Sequence, residues 1–257
     1  MKIILSPAKS IQFDIKTNNP TNSLPVFLTE AEELVNKLRT LNTEDIKSLM
    51  KVSDDIANLN VERYKNWELP FTPQNSKASA DIFTGAAFQG LNYPELSTKE
   101  RNEGQNRLRI LSGLYGILKP LDLIQPYRLE MGTRIQLGAN IKNLYQFWGN
   151  KINTYLNEEL SQDDYPFLVN LASAEYFKVA KLKQIKAPVI TPIFKDRAKD
   201  GSYKVIMTYA KKARGLMSRF IIQNKINRIE DLKAFNTDGY SYYSKGKDET
   251  EIIFVRG

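Results

Sequence analysis

Histidine and cysteine are both missing from the 257 residues. Their absence removes the imidazole general base, the thiolate nucleophile, any disulfide and the two commonest soft metal ligands. Long apolar runs are missing too: no stretch approaches the roughly 20 residues a membrane span requires. MKIILSPAKS at the start turns polar too soon for a secretory signal. There is no Walker lysine motif, no dinucleotide glycine fingerprint and no zinc-deaminase signature. The expectation is therefore a cytoplasmic protein with no membrane segment, no metal site and no nucleotide cofactor.

Acids are in deficit. Against 29 Asp and Glu stand 37 Lys and Arg, a formal charge of +8. Such an excess attracts polyanions at long range without specifying one, so nucleic acid, nucleotide and anionic membrane all stay open. With 42% hydrophobic and 26% charged residues, the chain is ordinary globular material, long enough for one large core. One domain over residues 1–257 is expected, since no linker, repeat or low-complexity block interrupts it.

Along the chain, KIIL at residues 2–5 predicts a short buried strand that Pro7 ends. TEAEELVNKLRTL predicts a helix opened by a capping box of Thr29 and Glu32. Residues 43–67 predict one or two helices capped by Thr43, with a break near Val52 and Ser53. Residues 80–96 are apolar and broken by glycines, and do not declare themselves. STKERNEGQNRL predicts a helix, RLRILSGLYGIL a buried strand with a glycine-marked bend, and NLYQFWGNKINTYLNEEL one helix. YPFLVNLAS has the continuous apolar run of a strand covered on both faces, with a helix opening at Ala174. Hairpins follow at PVITPIFKDR with SYKVIMTY and at GYSYY with EIIFVR. The polar stretch after Lys9 reads either as a mobile segment or as a loop on the surface. The order predicts an α/β fold, a mixed sheet wrapped by helices.

YAKKARGLMSRF at residues 209–220 carries four positive charges and no negative one. Wound at about 100° per residue, it gathers Ala213, Leu216, Met217 and Phe220 on a core-facing stripe. Lys211, Lys212, Arg214 and Arg219 spread opposite, with Gly215 and Ser218 as a notch among them. A glycine costs a helix interior about 1 kcal/mol relative to alanine, so another backbone or a ligand is expected close there.

Three further predicted strand ends carry related chemistry. SPAK offers Ser6 and Lys9; NLASAEYFK offers Asn170, Ser173, Glu175 and Lys178; PYRLEMG offers Arg128 and Glu130, placed by alternation on one face of a strand. Cations, hydroxyls and amides at strand ends suit phosphate. A catalytic use of the same groups would take Lys9 or Lys178 as a buried lysine base with Glu130 or Glu175 as partner. Tyr240, Tyr242 and Tyr243 on a late strand could stack bases, although such tyrosines more often line a sheet face.

Taken together, LSPAK, LSGLYGILKPLDLIQPYRLEMGTR, NLYQFWG, NLASAEYFK, YAKKARGLMSRFII and FNTDGY, in that order, resemble the YaaA family of bacterial peroxide stress resistance proteins over residues 1–255. The resemblance implies a cytoplasmic protein that lowers peroxide damage to DNA and proteins, limits free intracellular iron and binds double-stranded DNA. It also implies one α/β domain of unusual topology, with a basic cleft and a helix-hairpin-helix-like element, here residues 46–59. That element departs from the usual pattern: Val52, Ser53, Asp54 and Asp55 stand where hairpin glycines would turn amides toward a phosphate. The resemblance carries no catalytic residue. The cleft residues it implies are Ser6, Lys9, Arg128, Lys178, Lys211, Lys212, Arg214 and Arg219, with Ser173 added by its place at the helix start. No obligate protein partner is evident.

Two functions compete on these residues. One holds duplex DNA by its phosphates; the other is an enzyme acting on a nucleotide-like or phosphorylated small molecule in the same cleft. An open groove would favour the first, a pocket of a few hundred cubic ångströms around Lys9 the second. A third reading, direct iron binding, would need clustered carboxylates. Direct scavenging of peroxide has neither a thiol nor a haem ligand to work with, and five methionines are a poor substitute.

Overall fold

The computed structural model describes residues 1–15 and 22–257. Ten strands are named in chain order: β1 (Lys2–Leu5), β2 (Lys77–Ala78), β3 (Leu108–Ser112), β4 (Gly116–Leu118), β5 (Leu123–Ile124), β6 (Leu168–Leu171), β7 (Val189–Arg197), β8 (Tyr203–Lys204), β9 (Ser241–Lys245) and β10 (Glu251–Arg256). Eight form one sheet in the order β4-β3-β1-β6-β7-β10-β9, with β8 paired to β7; β2 and β5 pair separately. Contacts of β1 with β3 and β6, of β6 with β7 and of β7 with β10 are all parallel. The edges β4, β8 and β9 are antiparallel.

That arrangement follows from the apolar runs. KIIL, LRILS and LVNL are buried along their whole length, as central parallel strands covered on both faces must be. Ile3, Ile4, Leu5, Leu168 and Val169 have no exposed surface, each burial worth about 1.5–3 kcal/mol. In β7 burial alternates, and β9 is the most exposed strand.

The helices are α1 (Leu28–Arg39), α2 (Thr43–Met50), α3 (Asp54–Asn66), α4 (Ser79–Ile82), α5 (Ala86–Leu91), α6 (Thr98–Arg107), α7 (Leu144–Trp148), α8 (Lys151–Ser161), α9 (Ala174–Ala180) and α10 (Met207–Asn224). The longest, α10, lies against β1, β6 and β7 and also packs on α5 and α6. Its apolar stripe docks as expected, with Ala213 and Met217 buried and Leu216 and Phe220 packed on the core. The notch is filled from within the protein. A Cβ on Gly215 would stand 1.8 Å from the Ala87 carbonyl oxygen, and one on Gly90 would stand 2.2 Å from that of Lys212. These two glycines face each other so that α5 and α10 can touch backbone to backbone, and Ser218 is fully buried there.

Several boundaries differ from the sequence reading. Helix α1 begins at Leu28 with Phe27 as its uncapped N-cap, so the Thr29–Glu32 box does not form. In α2 the cap is Asn42, which makes a reciprocal box with Asp45 and displaces Thr43 into the helix; an Asn side chain outcompetes Thr for that role. The helix expected over residues 143–160 is two, parted at Gly149, whose φ of 51° no other residue adopts as readily. Strand β8 ends at Lys204, and the apolar VIM behind it leads into α10. Residues 125–130 have no strand pairing.

In the stretch after Lys9, residues 16–21 lie outside the described residues. Its described parts are tied down: Ile11 bridges to Phe83 and Ser23 to Asp122.

Candidate functional site

The carboxyl ends of β1 and β6 lie side by side, with Leu5 paired to Leu171. From β1 the chain goes first to β3 and β4 on one flank and then to β6, β7 and β10 on the other. Such a reversal opens a crevice beyond the strand ends, where open α/β sheets hold ligands. Ser6 and Ser173 meet in it: the Ser173 backbone N–H donates to Ser6 Oγ at 2.9 Å, and the Ser6 hydroxyl lies 3.3 Å from Ser173 Oγ. Residues 167 positions apart thus form one polar edge.

A cavity of 280 Å³ opens on this edge, walled by Ser6, Lys9, Thr84, Ser173, Lys211 and Arg214, with Leu5, Phe88 and Leu171 as apolar floor. Arg214 has neither a hydrogen bond nor an ion pair from its guanidinium among the described residues. Burial lowers its pKa, with no carboxylate to oppose the shift. Lys211 is exposed at the rim.

A second, more open depression of 840 Å³ adjoins the first and shares Glu175 with it. It runs between the α2–α3 hairpin and residues 128–136, lined by Lys37, Lys51, Arg128, Glu130, Arg134 and Glu175 among others. Gly113 sets one wall in place, since a Cβ there would come within 2.2 Å of the Leu129 carbonyl oxygen. The segment can therefore lie directly on the carboxyl end of β3. Tyr64 of α3 fastens it by donating its hydroxyl to the Arg128 carbonyl at 2.5 Å.

Between the two depressions stands a bridge of charge. Glu130 receives Lys9 Nζ at 2.6 Å on one oxygen and Arg128 Nη2 at 3.1 Å on the other. Arg128 and Glu130 thus come together without the expected strand. The Arg128 Nε is buried with no hydrogen-bond partner among the described residues. Glu175 accepts the Gly132 backbone N–H at 2.9 Å, and its carbonyl accepts the Tyr145 hydroxyl at 2.9 Å. Lys178 lies over the Tyr145 ring, 4.6 Å from its centre. Lys9 and Lys178 are both exposed, without the burial required of a lysine base.

Two of the expected cations leave the site. Lys212 pairs with Asp238 at 3.3 Å, beside Arg256. Arg219 turns inward and donates to the Leu91 and Asn92 carbonyls at the end of α5. The helix does not present one cationic face, because α5 occupies the ground between those four side chains. The tyrosines separate as well. Tyr240 is buried and donates to Asp196 at 2.9 Å, Tyr242 packs on Phe254, and Tyr243 alone stands exposed.

What the sequence reading missed is the far bank of the larger depression, Lys37, Lys51 and Arg134. Lys51 closes α2 with φ 53°, a left-handed conformation rare outside glycine, and so stands at the hairpin. The hairpin itself is where the resemblance implied it, and one of its two acids, Asp54, is neutralised by Lys47 at 2.8 Å. Spacing alone held no signal that these cations would face the strand ends.

Fold and site define an α/β protein with polar and cationic groups gathered beyond the carboxyl ends of central parallel strands. The chain belongs to the peroxide stress protein YaaA family, whose family model matches residues 1–246. It is 49% identical over 256 residues to a UPF0246 protein of Aliivibrio fischeri (strain MJ11), covering 100% of this chain and 98% of that one. A UPF0246 protein of Shewanella pealeana is 48% identical over 258 residues, covering 100% and 99%. One from Burkholderia cenocepacia is 46% identical over 258 residues, covering 100% and 98%. Among the described residues no helix is long and apolar enough to cross a membrane.

Proposed function

We propose that the protein acts in the peroxide stress response by holding duplex DNA against the larger depression, through phosphates and without base readout. The observation that carries this reading is a set of three cations, Lys37, Lys51 and Arg134, which line the open depression and make no ion pair among the described residues. Their acidic neighbours are already engaged: Glu130 by two cations, Glu175 by the Gly132 N–H, and Asp45 by the cap of α2. Free positive charge on an open surface suits a polymer of phosphates, and bound DNA would be shielded along the contact. The iron effect that the family resemblance implied is read as indirect, since the described residues offer no group of three carboxylates suited to a metal ion.

Fluorescence polarisation with a labelled duplex tests the proposal. Each neutralised phosphate contributes roughly −0.9 to the slope of log affinity against log salt, so three contacts give about −2.7. Changing Lys37, Lys51 and Arg134 together to Glu should abolish binding at moderate salt. A salt-independent affinity, or full binding by the triple variant, would overturn it.

A further inference from the structure

The smaller cavity calls for a different ligand. At 280 Å³ it is far too small for a duplex and near the lower end of pockets that take small molecules. Its polar groups converge from four places in the chain: the turn after β1, the turn before α5, the turn after β6 and the second turn of α10. Ser6 Oγ is occupied in accepting the Ser173 N–H and faces Ser173 Oγ with its own proton. The Ser173 hydroxyl is then left with a proton to donate into the cavity. Arg214, stripped of much of its water and given no carboxylate in exchange, has its forked donors unspent, and such a fork matches phosphate geometry.

An unpaired guanidinium in a partly dry place costs stability unless something anionic fills the place. Lys211 adds a second positive charge, and the acid among the cavity's lining residues, Glu175, has one oxygen tied to Gly132 N–H. Its other oxygen is suited to accept a hydroxyl. Phe88 and Leu171 supply an apolar surface beside these groups.

We infer that this cavity binds a phosphate monoester of a hydroxyl-bearing small molecule, a pentose phosphate or a mononucleotide in size, with Arg214, Lys211 and Ser173 on the phosphate and Glu175 on a hydroxyl. It is separate from the DNA surface proposed above, which uses Lys37, Lys51 and Arg134 of the larger depression.

Isothermal titration of the full chain with ribose 5-phosphate, 5′-AMP, ribose and adenosine tests it. The two phosphorylated compounds should bind and the two unphosphorylated ones should not. Arg214→Met should weaken binding at least tenfold, with circular dichroism showing the fold retained. Lys211→Met, at an exposed position where folding is not at stake, should weaken it about threefold or more. The Lys37, Lys51 and Arg134 triple Glu variant should bind the phosphorylated compounds as the wild type does. The inference is overturned if neither phosphorylated compound binds, if adenosine binds as well as 5′-AMP, or if Arg214→Met and Lys211→Met leave affinity unchanged. It is likewise overturned if the triple variant loses small-molecule binding, since the ligand would then sit in the larger depression.

Discussion

The two ends of the same parallel strands treat positive charge in opposite ways. At the amino ends of β1 and β3 the cations are matched: the Met1 amino group and Lys2 both reach Asp163 at 2.9 Å, and Arg107 reaches Glu103 at 2.5 Å. Arg109, 2% exposed, is gripped by both oxygens of Glu159 at 2.5 and 2.6 Å and by the carbonyls of Gln105, Asn106 and Leu108. At the carboxyl ends Lys9 and Arg128 share one Glu130, while Lys211 and Arg214 make no ion pair among the described residues. A guanidinium that the fold has satisfied is architecture. One that the fold has partly buried and left without a carboxylate is where the proposed phosphate would sit.

The largest expected effect lies at the satisfied end. Glu159→Ala would leave Arg109 buried without its counterion, and breaking a buried pair on one side costs about 3–5 kcal/mol. Urea denaturation at neutral pH should read that loss. The pair also has a pH signature. Burial by itself would raise the Glu159 carboxyl, but the hydrogen bonds and charge of Arg109 outweigh it and hold the group below its ordinary value. A carboxylate depressed in the folded state adds stability above its unfolded pKa and loses it as pH falls through the folded one. The wild type should therefore lose stability on acidification below the ordinary carboxylate range, and Glu159→Ala should lose less over the same interval.

Next in size is Gly215→Ala, which forces a methyl into the Ala87 carbonyl at the α5–α10 crossing. Overpacking of this kind costs about 1–3 kcal/mol. A melting temperature within 1–2 °C of the wild type, roughly the resolution at which a few tenths of a kcal/mol would register, would show that the two helices separate freely.

How far the sequence could be read follows from the same comparison. Continuous apolar runs mark β1, β3 and β6 as buried strands, and the motifs at the ends of β1 and β6, SPAK and NLASAEYFK, lie side by side. Ser6 and Ser173 do meet. The cations of α10 could not be sorted from helical geometry, because their fates depend on α5, a segment of residues 80–96 that had no periodic signature. Gly215 was legible as a close-approach site, but whether backbone or ligand came close was a matter of tertiary packing. Lys37, Lys51 and Arg134 gave no signal, since each is an ordinary basic residue whose meaning arises only where α1, the hairpin and the 128–136 segment converge.

A smaller effect, opposite in sign to that at Glu159, is expected at Arg214. Removing a desolvated cation that has no partner takes away a cost, so Arg214→Met in the ligand-free protein should be neutral or stabilising by up to about 1 kcal/mol. If denaturation shows it destabilised as strongly as Glu159→Ala, Arg214 is architecture after all and the contrast between the two strand ends fails.

The least effect should come from Lys212, three positions before Gly215 on the same helix. Its side chain is 46% exposed and its ammonium reaches Asp238 at 3.3 Å, while Asp238 keeps Arg256 at 2.9 Å whether or not the lysine is present. An exposed ion pair is worth about 0–1 kcal/mol because water solvates both partners nearly as well, and here the acid has a second cation in reserve. Lys212→Ala should therefore change stability by less than about 0.5 kcal/mol, and leave both duplex binding and small-molecule binding as they are. Loss of duplex binding in this variant would mean that DNA crosses the β9–β10 flank of the molecule, and Lys37, Lys51 and Arg134 of the larger depression would lose their claim to it.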